Sequence, residues 1–334
     1  MDDTTCGKPG MLKVRNLHIG FKTPEGFVRA VTGVGFDIGP GESVALVGES
    51  GSGKSVTALS CLRLLPEPQA SVTADVMDFD GTNLLTLAPG EMRKVRGNKI
   101  SMIFQEPMTS LNPLLTVGFQ IAEVASLHMG FDKKKALAYA VEMLGRVGIP
   151  DAEKRAGEYP HRLSGGMRQR VMIAIALVCS PRFLIADEPT TALDVTIQAQ
   201  ILKLIDDLQK ESGMAFLLVT HNMGIVAQKA ERVMVMYAGQ IVESAPTADI
   251  FDRPAHPYTA GLLASIPSAT EKVARLNVIR GTVPSPMFFP AGCRFNPRCP
   301  FATKECADEQ PEIREMEPGH LVRCHYPLRQ GANG

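Results

Sequence analysis

The chain has 334 residues, 45% apolar and 21% charged, so it is long enough for two domains and too apolar for a disordered chain. Its 35 basic residues balance 35 acidic ones, which argues against nucleic acid as a partner. The longest apolar run, Val171 to Cys179, is too short to cross a bilayer. The first residues lack the layout of a signal peptide, so we expect a cytoplasmic protein whose cysteines are thiols or metal ligands.

Strands dominate the first hundred residues of the predicted structure. Two alternating or apolar segments, MLKVRNLHI and VRAVTGVGFDI, flank the turn-like sequence KTPEG, and SVALV and KISMIF are typical of buried strands. From about residue 106 to 180 the pattern is helical. In one of these helices the spacing places Leu137, Val141 and Leu144 on the face that we expect to be buried.

Strands alternate with helices again in the next part of the chain. The segments FLIA, AFLLVT and VMVMY are short apolar runs, and an amphipathic helix is predicted between the first two. This alternation predicts βαβ crossovers and a parallel sheet. The sequence MYAGQIVES predicts a hairpin through Ala238 and Gly239. After Asp252 the chain is rich in proline, which favours an appendage over a continuation of the sheet.

The sequence GESGSGKS follows the predicted strand SVALV and precedes a helical stretch. It fits the G-x-x-x-x-G-K-S pattern in the structural context that this pattern requires. Glycines allow main-chain N–H groups to surround phosphates, and the following helix N-terminus favours negative charge. Lys54 is the expected partner of the β- and γ-phosphates, and the Ser55 hydroxyl is an expected ligand of Mg²⁺. The pattern predicts a phosphate site without naming a reaction.

Two acidic residues, Asp187 and Glu188, directly follow the predicted strand FLIA. Asp187 suits a ligand of Mg²⁺, and Glu188 is free to orient or deprotonate an attacking water molecule. On its own, an acidic pair after an apolar run would equally cap the next turn. Together with the phosphate loop it predicts nucleotide hydrolysis.

The sequence LSGGMRQR opens a helix that is apolar on nearly all sides. Ser164, Gly165 and Gly166 therefore lie at the N-terminus of a buried helix, which is a second potential anion site. Because the phosphate loop already serves the chain's own nucleotide, this N-terminus is expected to contact the γ-phosphate on another molecule. An ordinary capped helix is the alternative for such a sequence in isolation.

These motifs, in this order, resemble those of the ATP-binding-cassette (ABC) ATPases over roughly residues 11 to 245. The resemblance implies that ATP and Mg²⁺ bind, that Glu188, His221 and Lys54 are catalytic, and that Ser55, Gln105 and Asp187 hold the magnesium ion. Phe21 lies where the family places an aromatic residue on adenine, although a strand phenylalanine is equally often part of a core. The full set of nucleotide contacts implied by the resemblance is Phe21, Gly48, Ser50, Gly51, Ser52, Gly53, Lys54, Ser55, Val56, Gln105, Asp187, Ser164, Gly165, Gly166 and Asp194.

The fold class that follows is α/β: a P-loop NTPase cassette with a mixed core sheet, an antiparallel β-subdomain and a helical subdomain, plus a small irregular C-terminal extension that bears cysteines. We expect the nucleotide-binding domain to cover residues 1–252, with its helical subdomain at about 106–180, and the extension to cover 253–334. In the family, two cassettes close head-to-tail around two ATP molecules, so each P-loop is completed by the signature residues of the other subunit.

A transport function is suggested by two further segments. The sequence EPMTSLNPLLTVGFQIAE resembles the segment with which peptide importers receive a membrane subunit. HPYTAGLLASIP and the tail resemble the C-terminal extension of oligopeptide and dipeptide importer ATPases, whose relatives also import nickel, glutathione and similar solutes. The segment after the P-loop resembles the first of two paralogous ATPases in such systems. The alternatives are another small solute or an ABC ATPase outside transport; a P-loop kinase would have no use for the signature.

The resemblance also implies the partners and the location of the chain. We expect a heterodimer with the paralogous ATPase, two transmembrane permease subunits and an extracytoplasmic substrate-binding protein. The chain itself would lie peripherally on the cytoplasmic face of the inner membrane.

Four of the seven cysteines lie in the last 42 residues, at Cys293, Cys299, Cys306 and Cys324. Zinc sites usually contain close C-x₂₋₄-C pairs and ferredoxin motifs are also tighter, so the spacing leaves both Zn²⁺ and a 4Fe–4S cluster open, with free thiols as a third possibility. The resemblance to importer ATPases favours 4Fe–4S, because several of them carry such a cluster on this tail. In a zinc site His320 or His325 could replace a cysteine.

Overall fold

The computed structural model describes residues 11–191, 193–266 and 279–328. Pro267, the last residue of the sequence HPYTAGLLASIP quoted above, lies outside these ranges. The strands are β1 (Leu12–Thr23), β2 (Gly26–Ile38), β3 (Ser43–Val47), β4 (Ala70–Thr73), β5 (Val76–Phe79), β6 (Thr82–Asn83), β7 (Ile100–Ile103), β8 (Phe183–Asp187), β9 (Ala215–Thr220), β10 (Arg232–Tyr237), β11 (Gln240–Pro246), β12 (Arg314–Glu317) and β13 (His320–Val322).

The helices begin with the one that follows the phosphate loop. They are α1 (Lys54–Cys61), α2 (Pro89–Val95), α3 (Pro107–Ser110), α4 (Val117–Met129), α5 (Lys133–Arg146), α6 (Ala152–Ala156), α7 (Gly165–Leu177), α8 (Val195–Ser212), α9 (Met223–Lys229), α10 (Thr247–Asp252), α11 (Pro257–Ala264) and α12 (Lys304–Asp308). Single-turn 3₁₀ helices lie at Pro160–Arg162 and Asn296–Arg298.

Contacts between residues divide the chain into two compact units. The first contains the described residues of 1–39, 43–85 and 218–334, and the second contains 40–42 and 86–217. The phosphate loop and the C-terminal cysteines therefore belong to one unit. The domain boundary predicted at residue 252 stays a prediction.

The first unit contains the predicted antiparallel sheet. Its strand order is β2-β1-β5-β6, and β4 pairs with β1. The turn between β1 and β2 is the predicted one, because Thr23 lies opposite Gly26 across it.

A second group of strands in this unit runs in the order β12-β13-β11-β10-β3. β10 and β3 are parallel, whereas β10 and β11 form the predicted antiparallel hairpin. Ala238 and Gly239 turn that hairpin with φ values of 45° and 80°, the left-handed pair that suits a tight two-residue turn.

The C-terminal segment, here defined as residues 279–328, departs from the predicted appendage. Its strand β13 pairs antiparallel with β11, with Glu243 opposite Val322, so the segment continues the sheet that it was expected to leave. Its residues also share a hydrophobic cluster with the core strands, in which Phe295 packs with Val47 and Tyr237. The prediction failed because strands of three and four residues are too short to show periodicity.

In the second unit β7 and β8 are parallel, and helices α3 to α7 occupy the predicted helical region. Helix α7 is buried on most sides, as its composition predicts. The predicted face of α5 is partly wrong: Leu144 is buried, but Leu137 is 46% exposed. The residues that α5 buries are Ala136, Ala140, Met143 and Leu144, because small alanines allow close approach of the helix to its neighbours.

Candidate active site

The phosphate loop connects β3 to α1 by a backbone that only glycine adopts easily. Gly48, Gly51 and Gly53 have φ values of 154°, 78° and 104°. At Gly48 an added Cβ would lie 2.1 Å from the carbonyl oxygen of Met236, so that position also excludes a side chain on steric grounds. The glycines of the motif thus give the loop the curvature that a phosphate cradle needs.

Lys54, at the first position of α1, is buried with its ammonium group turned back to the loop. Its Nζ donates to the carbonyl oxygens of Gly48 at 2.8 Å and Glu49 at 2.9 Å. A buried cation above a curved, glycine-rich main chain fits a polyphosphate such as that of ATP. The other predicted contacts of this stretch lie in the same loop or in the first turn of α1, namely Ser50, Ser52, Ser55 and Val56.

One residue of the loop has partners that sequence reasoning missed. The Glu49 carboxylate accepts two hydrogen bonds from Arg298, at 2.6 and 3.0 Å, and the Glu49 N–H donates to the Tyr258 hydroxyl at 2.9 Å. Hydrogen bonding to Glu49 raises the pKa of Arg298, and burial raises the pKa of Tyr258. No local signal could have revealed these contacts, because 249 and 209 residues separate the partners.

Phe21 and His221 also belong to the first unit. Phe21 lies on β1, half-buried, opposite Val28 of β2. His221 is exposed and directly follows β9, next to Asn222, whose side chain caps α9 by accepting from main-chain N–H groups. Their roles on adenine and on the γ-phosphate stay predictions.

In the second unit the acidic pair lies where the sequence predicts it. Asp187 is the last residue of β8 and is 4% exposed, while Glu188 follows with a φ of 46°. The Glu188 carboxylate accepts hydrogen bonds from Gln105 Nε2 at 3.1 Å and from the Thr191 hydroxyl at 2.8 Å. A carboxylate held in this way is suited to orient a water molecule. The role of Gln105 on Mg²⁺ and the nucleotide stays a prediction.

The signature residues form the N-terminus of α7. Ser164 is the N-cap, with its hydroxyl accepting from the Met167 N–H at 3.3 Å. An added Cβ on Gly166 would lie 2.9 Å from Cγ2 of Ile197, whereas at Gly165 the nearest atom is 3.9 Å away. Packing inside the chain therefore requires only the second glycine, which leaves Gly165 available for a contact with another molecule.

Asp194 has a structural task of its own. Its carboxylate caps α8 by accepting from the Ile197 N–H at 2.9 Å. This capping contact was not part of the prediction, which assigned Asp194 to the nucleotide. The nucleotide role stays a prediction.

The four C-terminal cysteines line one small cavity in the first unit. Phe295, Phe301 and the edge of His256 also contribute to its wall, so its surroundings are largely apolar. Burial raises the pKa values of Cys293, Cys299 and Cys324, the last to about 12, and the other thiols of the cavity add to the shift of Cys324. All four are free thiols.

Main-chain N–H groups oppose the effect of burial at three of these thiols. Those of Phe295, Phe301 and Tyr326 lower the pKa values of Cys293, Cys299 and Cys324 in turn, although burial is the larger effect. Such N–H groups stabilise negative charge on sulfur and so suit thiolate ligands.

A metal centre is nevertheless not formed by these side chains as they stand. Within residues 11–191, 193–266 and 279–328, no three His, Cys, Asp or Glu side chains come together as a group that could hold a metal ion. His320, considered above as a zinc ligand, hydrogen-bonds to the Glu243 carboxylate at 2.8 Å instead. His325 lines the cavity. The predicted 4Fe–4S or zinc site is therefore a hypothesis that rests on the donor set.

The fold and the motif geometry together define a P-loop ATPase built on a mixed sheet. Residues 31–191 match the family described as ABC transporter, and residues 242–306 match the oligopeptide/dipeptide transporter C-terminal region. The second match covers the hairpin strand β11, helix α11 and three of the four clustered cysteines.

Curated relatives match over almost their whole length. The chain is 51% identical over 322 residues to the oligopeptide transport ATP-binding protein AppD of Bacillus subtilis (strain 168), covering 96% of this chain and 98% of that protein. It is 53% identical over 315 residues to the probable peptide ABC transporter ATP-binding protein y4tR of Sinorhizobium fredii (strain NBRC 101917 / NGR234), covering 94% of each. The chain belongs to the family of ABC transporter ATPases that carry the oligopeptide/dipeptide transporter C-terminal region.

Solved structures give the same fold. The dimeric structure of a post-hydrolysis state of the ATP-binding cassette MJ0796, bound to ADP and Pi, is 29% identical with a TM-score of 0.62, covering 71% of this chain and 99% of that one. The structure of cbiO1 from Clostridium perfringens, part of the ABC transporter complex cbiONQ, has a TM-score of 0.58 at 28% identity and covers 73% of this chain and 91% of that one. In the part of the chain that the structure describes, no helix is long and apolar enough to cross a membrane.

Proposed function

We propose that this ATPase energises the import of di- and oligopeptides as one subunit of a multi-subunit ABC transporter. The observation that carries the proposal is the match of residues 242–306 to the oligopeptide/dipeptide transporter C-terminal region, within a chain that resembles peptide transport ATPases along nearly its whole length. A related solute such as nickel or glutathione is the alternative outcome, because the binding protein of such a system largely sets its specificity.

The roles proposed for the ATP site follow the family motifs, residue by residue. Lys54 binds the phosphates, and Ser55, Gln105 and Asp187 would hold Mg²⁺, which supplies charge neutralisation for the phosphates when bound. Glu188 orients and deprotonates the attacking water. The hydrogen bonds from Gln105 and Thr191 support this role, because they fix its carboxylate.

Two groups of residues complete the proposed reaction. His221 contacts the γ-phosphate of the chain's own nucleotide. Ser164, Gly165, Gly166 and Asp194 serve the nucleotide of a second cassette, and the looser packing at Gly165, where the nearest atom to an added Cβ is 3.9 Å away, supports this assignment.

We expect the chain to act with partners at the cytoplasmic face of the inner membrane. These partners are a paralogous ATPase, two transmembrane permease subunits and an extracytoplasmic substrate-binding protein. The similarity to named peptide importer ATPases over their full length supports this assembly. Uptake of labelled peptides into proteoliposomes that contain the assembled complex tests it. Transport of another solute with no peptide uptake would favour the alternative.

Substitution Glu188→Gln tests the catalytic assignment. The amide keeps the size of the side chain but cannot accept a proton, so ATP turnover by the assembled complex should fall by roughly 10²-fold or more while ATP still binds. The control is Glu211→Gln, since Glu211 is an exposed acid paired with Arg146 outside the motifs. Undiminished turnover in Glu188→Gln would remove this residue from the mechanism.

The four-cysteine cavity is proposed to hold a 4Fe–4S cluster, with Zn²⁺ as the alternative. Four thiols on one apolar cavity are soft donors that fit either group, and the main-chain N–H groups that lower the pKa values of three of them support thiolate ligands. Such a group would tie together loops that have little regular structure of their own.

Anaerobic purification with quantification of iron, acid-labile sulfide and zinc distinguishes the two metals. Equal amounts of iron and sulfide, lost in Cys324→Ser, would support the cluster. Cys179→Ser is the matched control, because Cys179 is a half-buried thiol outside the cavity. A preparation free of iron and zinc alike would refute both assignments.

A further inference from the structure

We propose that the C-terminal segment, through Arg298, positions the phosphate loop together with Tyr258 of α11, and that both are positioning residues that act through Glu49. The affinity of the loop for nucleotide would then depend on the C-terminal segment. The motif sequence leaves the second position of the phosphate loop unspecified, so the family pattern assigns Glu49 no role. The structure gives it partners that the motif does not require.

Arg298 is fixed by its surroundings before it reaches the loop. Its side chain is 4% exposed, and it donates to the carbonyl oxygens of Ile279, Arg280 and Gly281 at 3.2, 2.9 and 3.3 Å. Its Nη1 and Nη2 groups donate to the two carboxylate oxygens of Glu49, and Nη1 also donates to the Tyr237 hydroxyl at 3.5 Å. A guanidinium held on several sides loses little freedom when it forms such a pair, so it can act as a rigid clamp.

Tyr258 holds the main chain of the same loop residue from a second direction. It is fully buried in a cluster with Tyr237 and Phe295, with ring centroids 4.6 and 5.4 Å from its own. The guanidinium of Arg298 lies 5.7 Å from the centroid of the Tyr237 ring. One aromatic platform thus supports both groups that hold Glu49.

Glu49 is hydrogen-bonded directly to two residues of the phosphate loop motif, Lys54 and Ser52. Its carbonyl oxygen accepts from Lys54 Nζ at 2.9 Å and from the Ser52 N–H at 3.2 Å. A displacement of Glu49 therefore moves the atoms that shape the cradle. In addition, Arg298 neutralises a carboxylate that would otherwise repel the phosphates of a nucleotide.

The contact joins the phosphate loop to the cysteine cavity. Arg298 directly precedes Cys299, one of the four thiols on that cavity. Coupling between two sites is reciprocal, so a nucleotide that orders the loop should also order the cysteine loops around residue 299.

Binding of MgADP to the full chain, measured by titration calorimetry, tests the proposal through a double-mutant cycle. Arg298→Ala leaves an unpaired carboxylate on the loop and should weaken binding about tenfold, whereas Glu49→Gln should weaken it only about threefold. The double variant should bind like Glu49→Gln alone, which makes the second substitution a rescue of the first. Arg298→Lys keeps the positive charge but cannot form the bidentate pair, so its affinity for MgADP should lie between those of the wild type and Arg298→Ala.

Recovery of MgADP affinity in the double variant would show that Arg298→Ala acts through the unpaired Glu49 carboxylate. If Arg298→Ala instead damaged the C-terminal segment, Glu49→Gln could not restore the affinity. Arg323→Ala is the matched control: Arg323 also donates to main-chain carbonyls, those of Ile241 and Pro311, neither of which belongs to the phosphate loop. It should leave MgADP affinity unchanged. Additive losses in the double variant, or unchanged affinity in Arg298→Ala, would overturn the proposal.

Two further measurements keep the test decisive if Arg298→Ala does not fold. Tyr258→Phe keeps the ring but removes the acceptor of the Glu49 N–H, and it should weaken MgADP binding about threefold. In wild-type protein treated with a chelator to remove any metal from the cysteine cavity, MgADP should slow alkylation of Cys299, and Glu49→Gln should reduce this protection. Wild-type affinity in both Tyr258→Phe and Glu49→Gln would sink the proposal, as would alkylation that nucleotide does not affect.

Discussion

The phosphate loop and the C-terminal segment are both irregular in backbone, yet the structure fixes them by different means. The loop takes its curvature from glycine torsion angles within eight residues, and the contacts of Glu49 with Arg298 and Tyr258 are added to that local geometry. The C-terminal segment is fixed by charged side chains that reach distant main-chain groups, as Arg294 does at Ala238 and Arg323 at Ile241. The difference explains why the first is readable from sequence and the second is not.

The Glu243 side chain forms the hydrogen bonds that connect the C-terminal segment and the start of α11 to strand β11. It is fully buried on β11, and its carboxylate accepts from the N–H groups of Ala255 and His256 at 2.7 and 2.9 Å. His320 of β13 donates to the same carboxylate at 2.8 Å. One side chain therefore connects the start of α11 and the neighbouring strand β13 to β11.

Glu243→Ala should have the largest effect on stability. It leaves two buried N–H groups and an imidazole without an acceptor, so the free energy of unfolding should fall by roughly 3–5 kcal/mol. Urea unfolding of the full chain measures this. Glu317→Ala is the control, because Glu317 is 53% exposed in its pair with Arg253 and should change stability by no more than about 0.5 kcal/mol. Equal effects of the two substitutions would show that the hydrogen bonds of Glu243 do not stabilise the fold.

Gly48→Ala is the corresponding test of the phosphate loop. The φ of 154° and the 2.1 Å approach to the Met236 carbonyl leave no room for a Cβ, so we expect a loss of about 3 kcal/mol together with loss of nucleotide binding. Gly51→Ala has a φ of 78° and open space, so it should lose only about 1 kcal/mol. Unfolding and MgADP titration of both variants give the comparison. Similar losses of unfolding free energy in both variants would mean that the φ angle alone, rather than the close approach of the Met236 carbonyl, requires glycine at position 48.

Sequence reasoning succeeded wherever a signal was local. SVALV is β3 and GESGSGKS is the loop that follows it, because a buried strand and a glycine-rich turn each have a pattern of their own. It failed where the outcome depended on partners far along the chain. The hydrogen bonds from Arg298 to Glu49 and from His320 to Glu243 join residues far apart in the chain, so no periodic sequence pattern predicts them. The buried face of α5 was predicted in part wrongly, because packing favoured small alanines over Leu137.

The smallest predicted effect concerns His256, the N-cap of α11, which accepts from the Tyr258 N–H at 3.0 Å. Burial lowers the pKa of His256 from 6.5 to about 4, against the opposing influence of the Glu243 charge. Below pH 6.5 the His256 side chain is therefore protonated in the unfolded chain, whereas in the folded chain it stays neutral down to about pH 4. The stability that neutral His256 allows is complete above pH 6.5 and declines until about pH 4.

Substitution His256→Asn isolates this titration, because asparagine is also a good N-cap and does not ionise. Between pH 6.5 and pH 5 the wild type should lose about 2 kcal/mol more unfolding free energy than the variant. Urea unfolding of both chains across this range provides the measurement. Parallel pH profiles would mean that the folded chain protonates His256 as readily as the unfolded chain does. Burial would then not keep the His256 side chain neutral.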